Sequence, residues 1–151
     1  MFYEPKKFTV KELVPPEVYE ARGEKALELI DVRIVMILDH LREKLDKPIT
    51  VNSWSWGGHY SQSGLRDVGH YGSSEKYFNS FSQHKYGRGV DFRVKGMTAE
   101  EVRQYIYDHK DEGALKYVTF VEEDVSWVHV DVRNCERITR WSPDRGFLER
   151  L

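Results

Sequence analysis

The stretch SQHKYGRGVDFRV, Ser82 to Val94, sets a histidine and an aspartate seven residues apart, with glycines between them and Asp91 flanked by Val90 and Phe92. From Gly89 onward the residues alternate. Val90, Phe92 and Val94 share one face and Gly89, Asp91 and Arg93 the other, which is the period of a half-buried strand. SWVHVDV, Ser126 to Val132, has the same pattern: Val128, Val130 and Val132 on one side, Trp127, His129 and Asp131 on the other. Each strand turns a metal-ligating side chain away from its apolar face, so Asp91 and His129 are expected to meet on the open side of one sheet.

Working outward, KYVTFVE and SWVHVDV are separated by a short acidic turn and read as an antiparallel hairpin. TAEEVRQYIYDH opens with a Thr98–Glu101 capping box and predicts a helix with Val102, Tyr105 and Ile106 inward. EKALELIDVRIVMILDHLREKLD carries Leu27, Ile30, Ile34, Leu38, Leu41 and Leu45 at helical spacing and predicts one long helix, stopped by Pro48, before a β segment from Ile49. Residues up to about Gly23, with Pro5, Pro15 and Pro16, read as an extended or turn-rich lead-in. Ser53 to Gln83, rich in Gly, Ser, Tyr and His, reads as a long loop able to wall a binding site. The expected architecture is α+β: a small, mostly antiparallel sheet with helices on one face and a metal cleft on the other.

The chain has 151 residues, enough for one domain spanning 1–151, with 40% hydrophobic and 32% charged residues. Its 23 basic and 25 acidic residues give a net charge of -2 with no long basic run, which argues against nucleic acid or an anionic membrane surface as partner. Cys135 is the only cysteine, so a disulfide within the chain and thiolate-rich metal sites are excluded. No secretory leader or membrane-span pattern is visible, and synthesis in the cytoplasm is expected. Oligomeric state has no signature in the chain.

A catalytic zinc site takes three protein ligands from His, Asp or Glu and keeps a fourth position for water. His84, Asp91 and His129 supply such a set, with Gly87 and Gly89 relieving crowding between the first two. A hydrolase also needs a general base. Glu122, Glu123 and Asp124 lie in the acidic turn. A turn with Glu123 and Asp124 as its two central residues puts Glu122 on the face of His129, whereas a loop one residue longer favours Glu123.

SQHKYGRGVD and WVHVD together resemble the Ser-x-His-x-x-Gly-x-x-x-Asp and His-x-Asp signatures of the zinc D-Ala-D-Ala carboxypeptidase family. That family shares its fold with lysostaphin-type endopeptidases and the hedgehog signalling domain. The resemblance runs from Phe8 to about Trp141 and includes FTVKELVPPEVY, NSWSWGG, SGLR and WVHVDVRN. It implies zinc held by His84, Asp91 and His129, and a substrate in the peptide part of bacterial cell walls. Compact members without a signal peptide look most like phage or prophage lysis and tail-associated enzymes, which would reach the wall by release or delivery.

Many members have an acidic residue three positions before the last His; here that position is Ser126, so the base must come from the turn, with Glu122 preferred. Arg66 in SGLR matches the family arginine that polarises the scissile carbonyl or holds a substrate carboxylate. Ser82 and Trp127 are expected to line the substrate site, and Asp131 to support the metal rather than ligate it. His40 and His109 fall on helices, His59 and His70 in the long loop, and Trp54 and Trp56 read as core aromatics. The rival reading is a binding module of the same fold that keeps zinc without hydrolysis.

Overall fold

A computed structural model describes residues 1–151. Six strands form one sheet in the order β1-β2-β4-β3-β5-β6: β1 (Ile49–Thr50), β2 (Gly89–Val94), β3 (Phe120–Glu122), β4 (Val128–Asp131), β5 (Thr139–Ser142) and β6 (Gly146–Arg150). Every neighbouring pair is antiparallel except β3 and β5, which run parallel. The helices are α1 (Pro16–Arg22), α2 (Val32–Leu45), α3 (Val68–Tyr71), α4 (Ser74–Asn79) and α5 (Ala99–Asp108). The α+β architecture with a mostly antiparallel sheet is as the sequence predicts. No helix is long and apolar enough to cross a membrane.

The core lies between the valine face of the sheet and the longer helices. Val90, Phe92 and Val94 of β2, Val121 of β3, and Val128 and Val130 of β4 are buried with Ile34, Val35, Ile37, Leu38 and Leu41 of α2 and Val102 and Ile106 of α5. Burying one such side chain contributes roughly 1.5–3 kcal/mol relative to leaving it exposed. These helices are therefore held by their packed faces more than by intrinsic propensity. Thr98 and Glu101 cap α5 reciprocally, as the sequence predicts.

Four local expectations change. The long helix divides: Gly23–Leu29 is a 3-10 segment, and α2 begins only after Ile30, whose backbone is extended. Asp31 imposes the break, accepting from Arg33 N and pairing with the Arg33 guanidinium at 2.9 and 2.7 Å while its own N–H donates to Gly87 O. Within the supposed lead-in, Pro16 starts α1 from the first helical turn, where a missing N–H costs nothing. The long loop contains α3, α4 and a 3-10 turn at Trp54–Trp56. The tail, read only as polar and aromatic, supplies β5 and β6, and β5 extends the sheet beyond β3.

Candidate metal centre and cleft

The register of the three central strands builds the site. Asp91 of β2 lies directly across from His129 of β4, and His129 directly across from Glu122 of β3. Cross-strand partners point to the same face, so these three side chains form one row on the side of the sheet opposite the valines. Between the paired Glu122 and His129 lie residues 123–128, six rather than the two expected from sequence. The difference is an even number of positions, so Glu122 keeps the face predicted for it.

His84 joins the row from outside the sheet. It sits on a 3-10 turn, Gln83–Tyr86, that ends at Gly87 in the left-handed conformation, φ 68°. A Cβ at Gly87 would lie 1.9 Å from Leu29 O, so both backbone conformation and space require glycine there. On the far side of the cleft the loop through Ser63 runs along β2 where β1 has ended, with Asp91 N donating to Ser63 O at 2.7 Å. Gly64 lies so close to Leu13 O that a Cβ would reach 2.2 Å. That approach brings Gly64 O within 2.9 Å of His84 Nδ1.

These contacts set the imidazole tautomers. His84, 2% exposed, donates Nδ1–H to Gly64 O, which leaves Nε2 facing Asp91 Oδ1 at 3.2 Å and His129 Nδ1 at 3.2 Å. His129 turns Nε2 to Asp131 Oδ2 at 3.0 Å and Nδ1 to Asp91 Oδ1 at 2.8 Å. Asp131 is fully buried and also receives the Arg133 guanidinium, Nε to Oδ1 at 2.8 Å. Arg66 Nη2 meets the other oxygen of Asp91 at 3.1 Å.

The charge states follow from this packing. Burial pulls the His84 imidazole down, with Asp91 opposing. Burial also pulls His129 down, but its hydrogen bonds to Asp131 and Asp91 prevail and raise it to about 9. For Asp91 burial would raise the carboxyl, yet hydrogen bonds from His129 and His84 hold it well below the usual carboxylate range. Burial pushes the Glu122 carboxyl up, against the pull of His129.

One ligand atom from each of His84, Asp91 and His129 lies within 4.8 Å of the others. Bonds of about 2.0–2.1 Å at a tetrahedral angle place neighbouring ligand atoms about 3.3 Å apart. The observed separations of 3.2, 3.2 and 2.8 Å are close to the edges of such a shell. Two imidazoles and a carboxylate, each with its outer atom held by a fixed partner, fit a zinc-type ion.

The centre opens into a cleft of about 500 Å³ whose lining includes Arg66, Ser82, Glu122 and Trp127. Arg66, Ser82, Glu122 and Trp127 thus meet the three candidate ligands in one cleft. Gln83, Phe120, Arg133 and Trp141 also line it and are missed from sequence. Phe120 lies on the same strand face as Glu122 and could have been found by parity, whereas Trp141 arrives on the unpredicted β5. The other two acids of the turn point elsewhere. Glu123, 3% exposed, is bonded to Tyr107 Oη, Arg103 and Arg140; Asp124 pairs with Arg145 at 2.7 Å.

Fold and centre together define an α+β domain with a His-Asp-His cluster, compatible with a metal ion, at the mouth of a cleft. The family described as Peptidase M15 matches residues 6–131, most of the chain and every candidate ligand, and the chain belongs to that family. M15 peptidases are zinc-dependent, and the family points to peptide bonds of peptidoglycan as substrate. Comparison with curated proteins and with solved structures found no match.

Proposed function

We propose that this protein is a zinc-dependent peptidoglycan peptidase, a D,D- or L,D-type carboxypeptidase or endopeptidase, with His84, Asp91 and His129 as the zinc ligands. The observation carrying this reading is the row Asp91–His129–Glu122 across three adjacent strands, closed by His84. When bound, the ion supplies Lewis acidity to the scissile carbonyl and to a water. Glu122 takes a proton from the attacking water and returns it to the leaving amine nitrogen as the amide C–N bond breaks. Its raised affinity for protons suits that shuttle better than an ordinary surface carboxylate would.

Arg66 is tied through Nε to Gln62 O and through Nη2 to Asp91, so its Nη1 is the group that would face a developing oxyanion. Ser82 and Trp127 would bind the peptide along the cleft. Release or delivery to the wall, as for phage lysis or virion-associated enzymes, belongs to this reading. A carboxylate on the ligand row supports an enzyme over a zinc-stabilised binding module. Glu122→Gln should keep its metal while hydrolysis of purified sacculi falls about 10²–10⁴-fold; His84→Ala should lose both. Undiminished hydrolysis by Glu122→Gln overturns the base assignment, and mass spectrometry of new peptide ends identifies the bond cut.

A further inference from the structure

Beside the cleft stands a short aromatic insert that the chemistry above does not use. Residues 68–81 comprise α3, α4 and the extended segment leading to Ser82. Inside it Tyr71, Tyr77 and Phe78 pack edge to face, with successive centroids 5.5 Å apart. Lys85 fixes this unit from below. Its Nζ donates to the carbonyls of Tyr77, Phe78 and Ser80 at 2.7, 3.3 and 3.0 Å and lies 4.8 Å from the Tyr77 ring centroid. Lys85 follows His84 in the same 3-10 turn, so the insert and the candidate metal ligand share one rigid support.

Two large rings on this support face solvent: Phe78 is 74% and Phe81 87% exposed. Phe81 immediately precedes Ser82 and Gln83, which line the cleft, and its carbonyl accepts from Gln83 Nε2. Exposed apolar groups on an ordered scaffold mark an interaction surface. Its composition narrows the partner. Between Gly72 and Ser82 the only charges are Glu75 and Lys76, which cancel, and the rings stand among Ser73, Ser74, Asn79 and Ser80. An anionic membrane would call for a basic face, and a stable protein interface needs about 800 Å² per partner, far more than two rings present. An uncharged polymer offering apolar ring faces edged by hydroxyl and amide groups fits both the rings and their polar frame.

We infer that Phe78 and Phe81 form a docking platform for the sugar strand of peptidoglycan, holding the polymer while its peptide enters the adjoining cleft. This rests on the reading of peptidoglycan as substrate. It predicts that Phe78→Ala/Phe81→Ala, in the full chain, loses at least tenfold in affinity for purified sacculi in a co-sedimentation assay. Turnover of a soluble stem peptide stays within twofold of the original, and peptide-free glycan strands compete with sacculi for the unsubstituted protein. Phe78→Trp/Phe81→Trp should retain binding. Unchanged sacculus affinity, absence of competition by glycan strands, an equal loss on soluble peptide, or a changed oligomeric state on losing the rings would each overturn the platform. Retention does not require turnover, so a protein that holds sacculi through the two rings but cuts nothing supports the platform and overturns the hydrolase reading.

Discussion

Among single residues, Asp131 shows most directly how the fold prepares a ligand. It is buried in the sheet beside the candidate ligand it supports, and its carboxylate holds His129 Nε2 on one side and the Arg133 guanidinium on the other. This fixes the imidazole so that Nδ1 is the nitrogen presented to the centre. Asp131→Asn should therefore weaken zinc binding by roughly 10–100-fold, measured by competition with a chromophoric chelator, while the unliganded protein still folds. An unchanged affinity would mean that packing alone orients His129. His129, Asp91 and Glu122 were legible in the sequence because strand parity depends on residue type at every second position. The tautomers were not, because His84 is oriented by Gly64 O, a backbone atom that no side-chain pattern announces.

At the level of elements, the β3–β4 connection matters most, because it carries Glu122 at one end and Trp127 at the other. Sequence parity placed Glu122 on the correct face without the correct loop length; the extra residues are accommodated by a clamp from α5 and β5. Arg103 Nη1 donates to Val125 O and Trp127 O at 3.2 and 3.1 Å, and its Nε lies 3.2 Å from Glu123 Oε2. Arg140 Nε reaches Glu123 Oε1 at 2.7 Å, and Glu123 N donates to Trp141 O. Glu123→Ala would leave Arg103 with only the exposed Glu100 as counter-charge, and breaking a buried pair costs up to about 3–5 kcal/mol. Urea unfolding should report a loss of that size, with metal content preserved in the protein that remains folded. A loss below about 1 kcal/mol would show that the loop is held by Arg103 and the two carbonyls alone. This clamp was not legible beforehand because its partners lie far apart along the chain, and the acidic run gave no sign of which carboxylate would turn inward.

Over the whole molecule, the parts that were legible were those with a strict period: the valine strands, the capped α5 and the apolar face of α2. The parts that were not are tied together by long-range polar contacts, and the N-terminus is the clearest example. Asp39, buried on α2, accepts from Tyr3 Oη at 2.8 Å and from the N–H groups of Lys6 and Lys7 at 2.8 and 2.9 Å, strapping the chain start across the helix layer that backs the sheet. Burial and the Asp39 carboxylate push the Tyr3 hydroxyl up to about 12, against about 10 in an unfolded chain. Between those values the folded protein binds the proton more tightly than the unfolded chain, so stability falls with rising pH there. The contribution of Tyr3 is complete below about pH 10 and fades toward about pH 12. Tyr3→Phe should cost about 1 kcal/mol at neutral pH, and the gap between the two proteins in thermal or urea unfolding should narrow across that alkaline window. A gap that is absent at neutral pH, or that persists undiminished at the alkaline end, would show that the two backbone amides hold the strap without the phenol.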